Sequence, residues 1–319
     1  MKNLPHLYVE KKLKDNFVER ALIGEFLDRE SADKIIDTTI GLYDIHTQEP
    51  IGILLKGVIP ENLNQDGYNA LKIFAKPDNN RGIASGKIRR DLIRKDHQKL
   101  DIEVSPDGFR YRPILPDGTR SRNTYSNMSN GGIFGFFEAT PRFPYCRQTS
   151  ITLDNPDNYK EAIPYIQHID SLFKDTVPDR YANQLEEVLK TNSSYVIYDT
   201  VFTTLTVNKN FATAVHMDKG DLDKGFSCLT VPRSRGYRGG YTVLTSYRIG
   251  FNVQEGDLLL MNAHNWHHNT PINPVDEDYE RLVCVFYYRT NMITCSSEEE
   301  ELKKAQERAD KKLYKDRGL

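Results

Sequence analysis

No apolar run in this chain approaches the roughly 18–20 residues needed to cross a bilayer, so no membrane helix is expected. The opening stretch, MKNLPHLYVEKKLKDNFVER, lacks the continuous apolar segment of a secretory leader. Cysteine is scarce and scattered: Cys146, Cys228, Cys284 and Cys295 form no C-x-x-C pair. That scatter predicts neither a zinc ribbon nor a disulfide framework, and a reducing, cytoplasmic setting is the expectation. There is no internal repeat and no low-complexity segment. Net charge is only −2, so no global excess of positive charge marks a polyanion binder.

The 319 residues, 38% hydrophobic and 28% charged, suit a soluble globular chain with apolar material for a real core. Positive charge is unevenly spread. RGIASGKIRRDLIRKDHQK (81–99) is followed by Arg110, Arg112, Arg120, Arg122, Arg142 and Arg147. This is either a surface facing phosphates or a solvated face balanced by acids elsewhere. Apolar residues at helical spacing predict a helix over 16–37, after which IGILLKGVIP turns extended. Pro60-Glu61-Asn62 opens a helix to about Ala75, and further helices are expected near 156–174 and 179–190. Residues 77–130, rich in Asn, Gly, Asp, Ser and Arg, predict hairpins and loops.

From Tyr195 the character changes. VFTTLTVN, FSCLTVP, GGYTVLTSYRIGFNV, DLLLMN and RLVCVFYYR are short β-rich runs broken by glycine, proline and charged turns, the pattern of an antiparallel sandwich or jelly roll. The expected class is α+β, with a charged helix closing the chain. Within a single elaborated domain, 1–319, the expected divisions are an N-terminal extension (1–59), a helical and loop-rich region (60–194), the jelly-roll core (195–292) and the tail helix (293–319).

In AVHMDKGD (214–221) His216 and Asp218 stand one residue apart. If the strand VFTTLTVN continues through them, both project from one face, and an imidazole and a carboxylate there can hold a metal. Alone, the pair is as readily an exposed histidine and a turn aspartate. DLLLMNAHNWHHNTPI adds His264, His267 and His268 where a later strand ends. From Asp218 to His267 is 49 residues, room for several short strands to return one beside another. Two imidazoles and a carboxylate make the facial triad of non-haem iron(II), with positions left for co-substrate and O2. A 2-oxoglutarate co-substrate also needs a bidentate cation for its far carboxylate, which favours arginine. Arg281 opens RLVCVFYYR, and Arg289 closes it as a rival.

The order H-x-D, H, R resembles the Fe(II)/2-oxoglutarate dioxygenase superfamily. FTTLTVNKNFATAVHMDKGD, YRGGYTVLTSYRIGFNVQEGDLLLMNAHNWHHNTPI and RLVCVFYYR look like its TET/JBP branch of nucleic-acid base oxygenases, especially the phage and bacterial members. NRGIASG (80–86) and GGIFGFFEATPRFPYCRQTSIT (131–152) fit that branch too, so the resemblance covers roughly residues 60–292. It implies a double-stranded β-helix core (jelly roll, cupin-like) with flanking N-terminal helices. It implies Fe(II) on His216, Asp218 and His267, with 2-oxoglutarate held by Arg281; Asn208, on the strand feeding His216, either binds the other end of 2-oxoglutarate or is a turn asparagine. The implied reaction consumes O2 and hydroxylates the C5 methyl of a DNA pyrimidine, 5-methylcytosine or thymine, to 5-hydroxymethyl. Succinate and CO2 are the co-products and ascorbate a stimulant. The implied partner is DNA carrying that methylated pyrimidine, without membrane or obligate protein partner. A 2-oxoglutarate hydroxylase of a free amino acid or protein side chain uses the same centre and stays open.

The chain departs from the family twice. His268 stands where glycine usually follows the distal histidine, which makes His268 a rival ligand, and Val283 stands where serine is frequent, leaving a co-substrate hydrogen bond to Tyr247 or Thr230. Among the rest, Arg147, Asn80 and Arg81 are expected to contact substrate, against salt-bridge or turn roles. His264 is expected to be structural or to support a ligand, and Asp221 to orient His216 or cap a turn. Trp266 is expected in the core, and Gly131-Gly132 to be a bend.

Overall fold

In the strand Glu280–Tyr287, alternate residues serve opposite layers, as a pleated strand requires. Leu282, Cys284 and Phe286 pack into a core shared with the helices, whereas Val283 and Val285 face a second core. A computed structural model describes residues 4–316, with side chains to 311. Among these residues the larger sheet has ten strands. Its order is His6–Val9, Ile40–Asp44, Pro50–Leu55, Leu258–Met261, Ser227–Arg235, Glu280–Tyr287, Thr204–Lys209, Ser129–Phe137 and Pro77–Asp78, with Arg147–Gln148 also on Ser129–Phe137. All pairs are antiparallel except His6–Val9 with Ile40–Asp44.

The smaller sheet runs His267–Asn269, Thr242–Leu244, Ile249–Phe251, Lys34–Ile36. Leu244, Ile249 and Phe251 from it meet Leu54, Leu229, Leu259 and Val283 from the larger sheet. The two sheets so opposed are the double-stranded β-helix. Helices Glu61–Leu71, Pro156–Thr176 and Pro178–Lys190 cover the outer face of the larger sheet, where Tyr165, Ile166, Ile169 and Phe173 are buried against Leu205, Cys228 and Phe286. No described helix is long and apolar enough to cross a membrane.

Three expectations need correction. The helix predicted over 16–37 is only a turn, Asp15–Phe17, running into a π-helix, Val18–Leu22. Gly24 breaks it at φ +72°, where a Cβ would lie 2.2 Å from Phe109, and Gly24 and Glu25 pair instead with Val215 (Gly24 N to Val215 O, 2.8 Å; Val215 N to Glu25 O, 2.9 Å). Non-local pairing therefore overrides helical periodicity. Second, the jelly roll is not confined to 195–292: Lys34–Ile36, Pro50–Leu55 and Ser129–Phe137 are members of its sheets. Third, Cys146 and Cys295 form a disulfide across 149 residues. It ties the start of the helix Glu298–Asp316 to the 140s loop, where buried Glu301 also accepts the Cys146 and Ser296 N–H groups at 2.6 and 2.9 Å. Four glutamates in that helix's first turn suit the positive end of its dipole.

Candidate active site

The strand Thr204–Lys209 does not continue to His216. Asn210 turns the chain at φ +48°, its side-chain oxygen accepting the Arg281 N–H at 2.7 Å. His216 is placed instead by a two-way backbone pairing with His267, each N–H donating to the other's carbonyl at 2.9 Å. Asp218 N–H donates to Ala263 O at 3.1 Å. The H-x-D motif thus folds against the end of the distal histidine's strand, with no shared strand face involved.

The result brings one atom each from His216, Asp218 and His267 within 4.8 Å of one another. His216 Nε2 is 3.7 Å from Asp218 Oδ1, and His267 Nε2 is 3.5 Å from Asp218 Oδ2. Each imidazole donates Nδ1–H to a carbonyl, that of Ala214 at 2.8 Å and Asn265 at 2.9 Å. A carbonyl can only accept, so both rings carry the proton on Nδ1 and present Nε2 bare toward the shared point. Burial, with the His267 imidazole beside it, pushes His216 down to about 4. Desolvation alone would raise Asp218, but the His216 and His267 imidazoles beside it hold it well below the carboxylate range. For His267, burial is outweighed by Asp218 and its pKa rises. A neutral imidazole, a second one and an ionised carboxylate converging on one point fit a divalent cation such as Fe(II).

The triad opens on a cavity of about 330 Å³ whose wall includes Asn208, Arg281, Thr206, Ser227, Tyr287 and Arg81. Six buried side-chain nitrogen or oxygen atoms among the described residues lack a hydrogen-bond partner, and four belong to this wall: Arg281 Nε and Nη2, Arg81 Nε and Asn208 Oδ1. Buried polar groups are rarely left unpaired, so such a cluster points to a polar ligand. Arg281 is 1% exposed, and burial lowers its pKa although the Tyr237 phenol hydrogen-bonds to it. Gly240, at φ +67°, lets the chain pass over that guanidinium; a Cβ there would be 3.0 Å from Nε. Gly131 likewise makes room for Asn208, whose Oδ1 would be 2.8 Å from a Cβ. Gly131 and Gly132 are strand residues under close backbone approach, and the expected bend is absent.

His268 points the other way. It is fully buried, bonded to Ser31 Oγ at 2.8 Å and Thr245 Oγ1 at 2.9 Å, and burial pushes it down to about 3. Tyr247 and Thr230 do not reach the cavity: Tyr247 donates to Asp44 at 2.8 Å, and Thr230 meets Tyr165 at 2.9 Å on the helix side. Arg289 lines the cavity but is bonded to buried Glu138 through both Nε and Nη2. Asp221 accepts from Ser227 Oγ at 2.7 Å and His264 Nε2 meets the Asp221 carbonyl at 2.8 Å, so neither touches the ligand imidazoles. Trp266 packs with Val18 and Val215 behind the site.

Arg147 lies outside the cavity wall, its guanidinium 4.4 Å over Phe143 and 5.2 Å over Phe137. Asn80 borders a separate cleft and donates to Asp78 at 3.1 Å. Among the cavity residues missed by sequence reasoning are Thr206, Ser227 and Tyr287, with Thr206 Oγ1 and the Tyr287 hydroxyl 3.1 Å apart. The signal was available: 281, 283, 285 and 287 share one strand face, as do 206 and 208.

Residues 133–290 match a family described as the oxygenase domain of the 2OGFeDO superfamily, Tet_JBP. The thymine dioxygenase JBP1 of Trypanosoma brucei brucei is 34% identical over 213 residues, covering 65% of this chain and 24% of the relative. The bifunctional helicase and thymine dioxygenase JBP2 of Trypanosoma brucei brucei (strain 927/4 GUTat10.1) is 29% identical over 247 residues, covering 68% and 23%. The chain therefore spans about a quarter of the length of these curated relatives. In three dimensions it superposes on NgTET1 in complex with 5mC DNA, with TM-score 0.54, 14% identity and coverage of 95% and 90%. That likeness speaks for the fold.

Proposed function

The chain carries a TET/JBP oxygenase domain of the 2-oxoglutarate- and iron-dependent superfamily over residues 133–290, and from that premise we propose that it hydroxylates the C5 methyl of a pyrimidine in DNA. Thymine is the first candidate because the JBP relatives are named for it; 5-methylcytosine presents the same methyl group. The product is the 5-hydroxymethyl base, formed with succinate and CO2, and the setting is the cytoplasm. The observation that carries this reading is the meeting of His216, Asp218 and His267 in one cavity with Arg281, whose Nε and Nη2 lack partners.

In this mechanism His216, Asp218 and His267 would hold Fe(II), and Arg281 and Asn208 would hold 2-oxoglutarate. Bound there, iron, 2-oxoglutarate and O2 supply the oxidising power that replaces a methyl C–H by C–OH. The protein's own residues do the rest. Arg281 offers two free donors to a carboxylate, and with no other described partner for them the co-substrate anion removes the cost of a bare buried charge. The Ala214 and Asn265 carbonyls keep both imidazoles in the ligating tautomer. Ile133, Leu229, Val283 and Val285 line the floor and exclude water. Arg81, whose Nε is bare, is part of the cavity wall and offers a donor to an entering base or phosphate. A base in duplex DNA reaches this cavity only when flipped, which costs a few kcal/mol.

The test is nucleoside mass spectrometry after incubation of thymine- and 5-methylcytosine-containing DNA with protein, Fe(II), 2-oxoglutarate and ascorbate. Hydroxymethyl nucleosides matched by succinate are expected. Succinate formation stimulated by free amino acids or peptides, with no modified base, would replace the DNA reading by the small-molecule one.

A further inference from the structure

Resting on the DNA reading above, we propose that phosphates flanking the target base are held in the cleft lined by Arg110, Arg122 and Arg142, and not by the arginines of segment 89–94. On sequence the 89–94 cluster is the more basic feature, but two of its three arginines are paired with carboxylates and the third is bonded to backbone carbonyls. Arg89 donates to Asp91 through Nε and Nη2 at 3.3 and 2.8 Å. Arg94 does the same to Asp96 at 3.0 and 2.8 Å. Arg90 Nη1 donates to the carbonyls of Gln98 and Leu100 at 3.4 and 2.6 Å. A guanidinium fork filled by a carboxylate has neither the net charge nor the free donor pair that a phosphate requires.

Arg110, Arg122 and Arg142 are exposed and line one cleft together with Asn80 and Asn123. Among the described residues none of the three has a carboxylate within ion-pair distance. Arg142 is directed by stacking 5.3 Å over Phe143, which fixes the guanidinium without neutralising it. Arg308, on the tail helix, stacks on the same ring at 4.6 Å and donates to the Arg142 carbonyl at 2.7 Å, adding positive charge to the rim.

The cleft also adjoins the site. Asn79 and Asn80 border it, and the next residue, Arg81, lines the triad cavity. Two residues of chain span at most about 7 Å, about two steps of a strand that carries one charge per 3.4 Å. On this proposal the strand whose flipped base enters the cavity runs on across the adjoining cleft, where its neighbouring phosphates meet these three guanidinium groups. The ligand class is a run of phosphodiester anions.

The experiment is fluorescence anisotropy with a labelled oligonucleotide from 50 to 300 mM salt. It compares the wild type, R110A/R122A/R142A, R110K/R122K/R142K and R89A/R90A/R94A. Each lost phosphate contact lowers the log–log salt slope by about 0.7–0.9 and affinity at 50 mM salt by about tenfold. The alanine triple should thus lose about 2–3 in slope, while the lysine triple, which keeps the charge, retains it. R89A/R90A/R94A should bind as wild type. The placement is overturned if R89A/R90A/R94A loses the slope instead, or if R110A/R122A/R142A binds unchanged. Wild-type protein that shows no salt-dependent DNA binding defeats the DNA reading itself, which is a different result. Thermal midpoints are compared first, and the three single alanine variants, each expected to lose about 0.7–0.9 in slope, stand in if the triple does not fold.

Discussion

Replacing Arg281 by methionine should strengthen the fold and cripple co-substrate binding at the same time. Arg281 is fully buried, and its Nε and Nη2 have no described partner. A buried donor left unsatisfied costs about 1–3 kcal/mol, and an apolar side chain of similar length removes both such penalties. Against this stands the loss of the Tyr237 hydrogen bond, about 1 kcal/mol. The net gain in the absence of 2-oxoglutarate is about 1–5 kcal/mol, a range that overlaps other replacements of buried charge by apolar groups. For a chain of this size that is a rise of roughly 2–10 °C in thermal midpoint. The same change removes a charge-assisted pair of hydrogen bonds to the distal carboxylate, about 3–4 kcal/mol, so affinity should fall roughly 100- to 1,000-fold. Scanning calorimetry without ligand and anaerobic titration of the Fe(II) protein with 2-oxoglutarate measure the two halves. A methionine variant that unfolds earlier than wild type, or binds 2-oxoglutarate within threefold of it, would show Arg281 to be a structural cation, and the reasoning would fail.

His267→Ala should abolish stoichiometric iron binding, whereas His268→Ala should retain it and cost about 1–3 kcal/mol of stability, because His268 only joins Ser31 to Thr245; metal analysis and denaturant melts separate them. Glu138→Ala leaves the Arg289 guanidinium without its carboxylate and should destabilise by about 3 kcal/mol in urea. Although burial opposes it, Arg289 holds the Glu138 pKa below its ordinary 4.5. That contribution is complete above the unfolded value and fades as pH falls through the folded one, so the gap between variant and wild type should narrow below about pH 4. Cys295→Ser should lower stability by about 2–5 kcal/mol in oxidising buffer, and the difference should vanish in dithiothreitol.

Much of the helical layer was legible because its signals are local. Glu61–Leu71, Pro156–Thr176 and Pro178–Lys190 fall where proline starts and apolar spacing put them. The segment 16–37 misled for the opposite reason: its apolar residues serve Val215 and the smaller sheet, and Gly24 ends the helix to allow it. In the basic segment 89–94, left open between a phosphate-facing and an acid-balanced surface, the acids that pair with Arg89 and Arg94 lie only two residues further on.

By itself the sequence supplied the expectation of the chemistry: H-x-D then H then R are residue types and an order that suit a divalent metal and a carboxylate-binding cation. Only the tertiary structure decided which atoms meet. His267 faces the metal point and His268 the N-terminal segment because a strand sends neighbouring side chains to opposite faces, and the register was set by the pairing of His216 with His267. Whether a guanidinium is free or already bonded depends on contacts that form only after the chain has closed, which is why Arg281 keeps Nε and Nη2 without partners and Arg289 is paired with Glu138.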